Sequence, residues 1–183
     1  MVAVVRRSAD MSETLTLALS PPNTATFSFD ALYRDSAADV HAYAWSLLRD
    51  QAAAEDVTAL AFERAYRRRG RFDPDRGSAR AWLFAIARNA ALDELRRRKR
   101  TATLTFDPVA EPEPAADAGA EPERRATVQA ALAALDPRER ELVALKFHAG
   151  LSNAEIGALL GVSESNAGTK VHRAVTKLRK ACA

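Results

Sequence analysis

The chain has 183 residues, enough for one or two domains, and its 48% hydrophobic and 28% charged content is that of an ordinary folded protein. A net charge of +3, from 27 basic and 24 acidic residues, favours no partner by itself. The one cysteine, Cys182, excludes an intramolecular disulfide and a thiolate zinc cluster. No apolar run approaches the ~20 residues that cross a bilayer and no signal peptide is legible, so a reduced, cytoplasmic protein without membrane insertion is expected.

Residues 1–26 read as a flexible extension closed by Pro21-Pro22. From Ser28, a capping residue, Phe29, Leu32, Tyr33, Val40, Tyr43, Ala44, Leu47 and Leu48 recur at helical spacing, which predicts a helix over 28–49. A second helix is predicted over 53–69 from Val57, Ala61, Ala65 and Tyr66, ending in Arg67-Arg68-Arg69-Gly70. RFDPDRGS follows as a loop turned by Pro74 and Gly77. Ser78 caps a long helix over roughly 79–99, with Trp82, Leu83, Ile86, Ala90 and Leu95 for a core and the basic run Arg96–Arg100 at its end.

Residues 101–126 carry six acidic and two basic residues and four prolines, with no apolar period, and read as a flexible acidic linker. The flanking blocks are basic: fifteen basic against eleven acidic residues over 27–100, and eight against five over 127–183. In the second block, Asp136-Pro137-x-Glu139 combines a cap, a first-turn proline and a capping-box acid, predicting a helix to about His148 that stops at Gly150. Ser152-x-x-Glu155 opens a short helix ending at Gly161, and Ser163 caps a third helix to about Lys180. No segment reads as a strand, so an all-α fold of two small helical domains joined by the linker is expected.

The short helix, Gly-Val turn and basic helix form a helix-turn-helix. Ile156, Leu159, Leu160 and Val162 can lock the two helices, and Ala154 and Gly157 are small enough for close approach. The second helix can enter the major groove with Ser163 at its start and Thr169, Lys170, His172 and Arg173 as base and phosphate contacts. Val171, Val175 and Leu178 lie on the opposite, core side.

The stretch AEDVTALAFERAYRRRGRFDPDRGSARAWLFAIARNAALDELRRRKR resembles region 2 of the extracytoplasmic-function (ECF) sigma factors of bacterial RNA polymerase. LDPRERELVALKFHAGLSNAEIGALLGVSESNAGTKVHRAVTKLRK resembles their region 4. The resemblance implies region 2 over 27–100 and region 4 over 127–183, binding core RNA polymerase at its β′ clamp coiled coil and β flap, and promoter DNA at the minus-ten and minus-thirty-five elements. It places Glu55, Asp56 and Thr58 at the polymerase. It places Phe72, Arg76, Ser78, Arg80, Trp82, Arg88, Asn89, Arg96 and Arg97 at the minus-ten element, with Phe84 a further aromatic available to capture a base. Ser163, Thr169, Lys170, His172 and Arg173 fall to the minus-thirty-five element, and an anti-sigma factor is an implied partner. The chain departs from the family pattern at Ala59, Leu60 and Gly168.

A coil the length of the linker averages roughly 28 Å end to end, whereas elements two DNA turns apart lie roughly 70 Å from each other. The free chain is therefore expected not to hold its modules in promoter register. The alternative is a LuxR-type or other helix-turn-helix regulator without polymerase contact, which would carry a receiver or sensing domain in place of residues 53–100. An enzyme is disfavoured: His41, His148 and His172 are scattered, and no phosphate loop, metal cluster or nucleophile constellation is legible, so neither cofactor nor metal is expected.

Overall fold

Local signals start and stop most of the helices. The computed structural model describes residues 28–105 and 122–182; among them are seven α-helices and two single 3-10 turns, and no strand. Helix α1 (Phe29–Leu48) is capped by Ser28, whose Oγ accepts from the Ala31 N–H. It ends at Arg49, which takes a left-handed conformation, φ 55°, and donates its N–H to the Trp45 carbonyl. Helix α2 (Gln51–Arg68) follows directly, with Asp50 accepting from the Ala53 N–H at 2.9 Å. It thus begins ahead of the predicted residue 53, because the Asp50 cap sits against the end of α1 with no loop to announce it.

The predicted loop contains the turns Arg69–Arg71 and Pro74–Arg76, the latter held by Asp73 accepting from the Asp75 N–H and closed by Gly77 at φ 139°. Helix α3 (Ala79–Thr105) has Ser78 accepting from the Ala81 N–H at its start and runs beyond the predicted residue 99. Helix α4 (Pro122–Ala133) begins inside the stretch read as linker. Pro122, read there as a breaker, occupies a first-turn position where its missing N–H costs nothing. The remainder of that stretch, 106–121, lies outside the described residues, as does the extension 1–26.

Helices α5 (Pro137–Phe147), α6 (Asn153–Leu160) and α7 (Glu164–Ala181) follow the predicted bounds closely. Both capping boxes form, at Asp136/Glu139 and Ser152/Glu155. Gly150 (φ 64°) and Gly161 (φ 69°) supply left-handed turns after α5 and α6. Gly157 is required by packing: a Cβ there would stand 2.8 Å from the Val162 carbonyl oxygen, so only glycine lets α6 approach the turn before α7. Ala154, expected to share that role, is exposed.

In the first module α1, α2 and α3 pack as a bundle around Val40, Tyr43, Ala61, Leu83, Phe84 and Ala87, with the Tyr43 and Phe84 rings edge to face at 5.6 Å. A second layer, Ala44, Ala53, Ala54, Val57, Ala90 and Ala91, is mostly alanine, which brings these helices close. Tyr33 and Tyr66, placed on core stripes by spacing, are half exposed and pack edgewise on Phe62 and Phe29. In the second module α7 packs on α4, α5 and α6 through Ala167, Val171 and Ala174. The fork of Arg140 holds the α4 end through the Leu132, Ala133 and Leu135 carbonyls.

The two modules are also packed on each other. Helix α1 lies against α5 and α3 against α6, and the apolar cluster of Val40, Tyr43 and Phe84 continues into Leu142, Leu145 and Leu151. The sequence reading describes two bodies on a tether; the structure adds a shared core between them. Gly157→Ala is expected to lower the stability of the second module by about 1–3 kcal/mol through forced displacement of the turn, read as a fall in melting temperature; a melt identical to that of the unaltered chain would contradict the packing at Val162.

Candidate nucleic-acid interface

The loop and the start of α3 line a groove of about 320 Å³, walled by Arg71, Phe72, Asp73, Arg76, Ser78 and Trp82 on one side and by Glu155, Ala158 and Leu159 of α6 on the other. Phe72 and Trp82 lean together with ring centroids 5.6 Å apart, and both are half-buried. Phe84 is fully buried against Tyr43, so its ring has no face left for a base: one turn on from Arg80, it points into the bundle. Arg76 and Asn89 are exposed.

The other candidate groups on α3 are already engaged. Ser78 donates to Glu155 of α6. Arg80 reaches the Asp39 carboxylate at 2.6 Å, Ser36 Oγ at 3.2 Å and the carbonyls of His148 and Ala149 at the end of α5. Arg88 Nε lies 2.6 Å from Glu141 Oε1. In the basic run, Arg96 pairs with Asp93 and Arg97 with Glu94, both arginines remaining well exposed. Arg98 spans Glu94 and Asp50 and so ties the end of α3 to the cap of α2, a structural role within a run that the sequence assigned to phosphate contact. Exposed pairs of this kind are worth about 0–1 kcal/mol and exchange readily for a phosphate partner.

The face of α7 is open. Thr169, Lys170, His172 and Arg173 are exposed along it, and Lys170 and Arg173 form no ion pair with the described residues. Ser163 caps the helix, accepting from the Asn166 N–H, and Thr169 donates to the Ser165 carbonyl. A Cβ at Gly168 would stand 3.0 Å from the Asn153 amide nitrogen, so a side chain there would require the Asn153 side chain to move by a few tenths of an ångström.

A second, acid-and-base-rimmed groove of about 510 Å³ runs between α2 and α3. Its floor is Ala53, Val57, Leu60 and Ala90, and Asp50, Asp56, Asp93, Glu94, Arg97 and Arg98 stand around it. Of the three candidate polymerase residues, only Asp56 lines this groove. Glu55 is exposed and accepts from Gln51, while Thr58 donates to the Ala54 carbonyl of its own helix. Leu60 packs on the alanine layer, which is why an apolar side chain suits that position. Among the described residues there is no metal-binding cluster of His, Cys, Asp or Glu, and no helix is long and apolar enough to cross a membrane.

Sequence reasoning did not find Glu141, which pairs with Arg88 and accepts from the Tyr43 hydroxyl. Glu141 sits inside a helix with no local signal, and its partner Arg88 is 53 residues away.

Comparison with known proteins bears on both modules. Residues 32–101 match the family model for Sigma-70 region 2, and residues 125–178 that for Sigma-70, region 4. The RNA polymerase sigma factor CarQ of Myxococcus xanthus is 36% identical over 153 residues, which cover 83% of this chain and 87% of that protein. The ECF RNA polymerase sigma factor SigL of Mycobacterium tuberculosis is 34% identical over 151 residues, covering 81% and 85%. Among solved structures, CnrH in complex with the cytosolic domain of CnrY is similar with a TM-score of 0.60 and 29% identity, over 83% of this chain and 85% of that one. The sigma factor RpoE of Bartonella quintana, in complex with the anti-sigma factor NepR, shares the fold with a TM-score of 0.69 at 23% identity, over 84% of this chain and 95% of that one.

Electrostatics couple these surfaces to pH. The Ala53 N–H, with Arg98 beside it, holds the Asp50 carboxyl below its ordinary pKa, and hydrogen bonds from Arg97 and Arg98 do the same for Glu94. Burial pulls the Glu155 carboxyl up, but hydrogen bonds from Ser78 and Ser152 outweigh it and leave it lowered. Burial also lowers His148, with Asp39 opposing. Each group binds its proton more weakly in the folded chain than in the unfolded one. Stability is therefore complete above the ordinary histidine value of 6.5 and is lost as pH falls, first through His148 and then through the carboxylates. The urea midpoint is expected to be lower at about pH 5 than at about pH 7.5; a midpoint that rises on acidification would contradict these environments.

Proposed function

The chain belongs to the extracytoplasmic-function sigma factors of bacterial RNA polymerase, and on that premise we propose how its surfaces divide the work. As a sigma factor it binds core RNA polymerase and directs promoter recognition, DNA opening and the initiation of transcription. Residues 27–100 act as region 2 and residues 127–183 as region 4, with the intervening 101–126 the connection between them.

In region 4, α7 enters the major groove of the minus-thirty-five element with Ser163, Thr169, Lys170, His172 and Arg173. The open face of α7 supports this, since Lys170 and Arg173, without an ion-pair partner among the described residues, are placed to take DNA phosphates and base edges. In region 2, Phe72, Arg76, Ser78, Arg80, Trp82, Arg88 and Asn89 receive the minus-ten element, with Arg96 and Arg97 on the backbone. The aromatic pair in the loop groove is the observation that supports strand capture. Stacking is worth about 1–3 kcal/mol per base and offsets the cost of unstacking the duplex. Phosphate contacts from the arginines make the interaction salt-dependent.

Asp56, at the groove between α2 and α3, with Glu55 and Thr58 on the same helix, meets the β′ clamp coiled coil. An apolar floor with a charged rim suits a helical partner. The chain works in the cytoplasm and has no catalysis of its own. An anti-sigma factor is a further partner, as NepR is of the similar sigma factor RpoE. A LuxR-type regulator is disfavoured because residues 32–101 match region 2 where such a protein would carry a receiver or sensing domain.

Run-off transcription with core polymerase over a promoter library tests the whole reading, and promoter-directed transcripts that need this chain are the expected result. Arg173→Ala is expected to weaken promoter recognition by about 1–3 kcal/mol without changing affinity for core polymerase; equal loss of both would contradict its assignment to DNA. Asp56→Lys is expected to do the reverse, lowering affinity for core polymerase in a pull-down while leaving minus-thirty-five binding intact.

A further inference from the structure

The end of α2 carries an aromatic and basic group, centred on Tyr66 and Arg69, outside the surfaces assigned above. Tyr66 is 51% exposed, its ring set edge to face on Phe29 at 5.2 Å, with the buried Phe62 against Phe29 at 6.4 Å. The Arg69 guanidinium lies over the Tyr66 ring, 4.0 Å from its centroid, and donates to the Tyr66 carbonyl at 2.8 Å. That hydrogen bond holds a planar cation on an aromatic face, and Arg69 is itself exposed, so the stack ends in water. Arg68 and Arg71 flank it, both exposed and without an ion pair among the described residues, whereas Arg67 is paired with Glu63. The turn Arg69–Arg71 rises only about 6 Å before Phe72. The Phe72 N–H closes that turn on the Arg69 carbonyl at 3.2 Å. The stack therefore adjoins the groove of Phe72 and Trp82, and Arg71 belongs to the wall of that groove.

Chemistry selects the ligand. An unstacked base lies on an aromatic ring or on a guanidinium plane, and a guanidinium held flat on a ring presents its outer face to one. An acidic peptide or a lipid headgroup would use the charges and leave the plane idle. Duplex DNA has its bases stacked on one another, with no face to give. Single-stranded DNA uses both features, bases on the plane and phosphates on the cations. We propose that Tyr66 and Arg69 form a second stacking platform for single-stranded DNA. A base beside those held in the groove of Phe72 and Trp82 stacks on the Arg69 plane, and Arg68 and Arg71 take the adjoining phosphates. Because Arg69 is already held in the free chain, little side-chain freedom is lost when the base arrives. The proposal rests on the assignment of that groove to the opened strand.

The test uses the full chain bound to core RNA polymerase, with core polymerase alone as background. The probes are two fluorescent single-stranded DNA oligomers of equal length, about twelve nucleotides, one of mixed sequence and one abasic throughout. Arg69→Lys keeps the charge and removes the plane, and Tyr66→Leu keeps an apolar contact for Phe29 and removes the ring. Each is expected to weaken binding of the mixed-sequence oligomer about five-fold or more and to leave the abasic one unchanged. Arg67→Lys, the same substitution at the arginine paired with Glu63, is expected to change neither. Equal loss on both oligomers marks an effect of charge or folding and overturns the proposal, as does no loss on either or no binding above background. A second readout is photo-crosslinking from iododeoxyuridine placed along the mixed-sequence oligomer. A crosslink at Tyr66 or Arg69 is expected, and crosslinks confined to other residues overturn the proposal. Phe72→Leu tests the groove separately. Loss with Phe72→Leu but not with Arg69→Lys overturns the platform and leaves the groove assigned as before. Loss with Arg69→Lys alone supports the platform and contradicts the groove.

Discussion

Helix α5 ends against another module, and its chemistry demands a partner there. The last carbonyls of a helix have no internal donor and carry the negative end of its dipole. The Arg80 guanidinium supplies both hydrogen bonds and positive charge to those of His148 and Ala149. About two turns earlier, Glu141 needs a counter-charge because water scarcely reaches it, and Arg88 provides one. Removing one member of a well-buried ion pair costs about 3–5 kcal/mol, and less where the other keeps some access to water, as Arg88 does. The same contacts that complete α5 therefore help hold the two modules together, beside the apolar cluster that they share.

This sorts the basic residues of a chain whose net charge is only +3. Arg98 and Arg140 are structural: one clamps the end of α3 to the cap of α2, the other closes the end of α4. Arg96 and Arg97 sit in exposed pairs that a phosphate can replace. Lys170 and Arg173 stand open on α7. Arg80 and Arg88 belong to two sets, since they complete the closed core and lie on the face assigned to DNA. Charge density along the sequence cannot separate these classes, because a guanidinium serves equally as helix cap, ion-pair partner and phosphate ligand.

Two of the three departures from the family pattern, Gly168 and Leu60, have packing neighbours, while exposed Ala59 has no structural explanation. A Cβ at Gly168 would press on the end of the Asn153 side chain, which would have to shift to admit it. Leu60 rests on an alanine layer and helps floor the groove beside Asp56. Phe84 looks equivalent to Phe72 and Trp82 in composition, yet it belongs wholly to the core, because its place on α3 faces α1.

Helix type, order and most boundaries were legible in the residues themselves. Ser28, Ser78, Asp136, Ser152 and Ser163 act on backbone groups two or three residues away, and Gly150 and Gly161 act on their own φ, so the signal and its effect share one short window. The helix-turn-helix and its open face were legible for the same reason. The start of α2 was not, because Asp50 follows Arg49 without a loop, and the start of α4 was not, because a proline reads alike as breaker and as first-turn residue. What only the tertiary structure decided is the docking of the modules and the engagement of Ser78, Arg80 and Arg88. Those contacts join residues 53 to 77 positions apart, and a periodic pattern records which face of a helix is apolar but not which other helix will cover it.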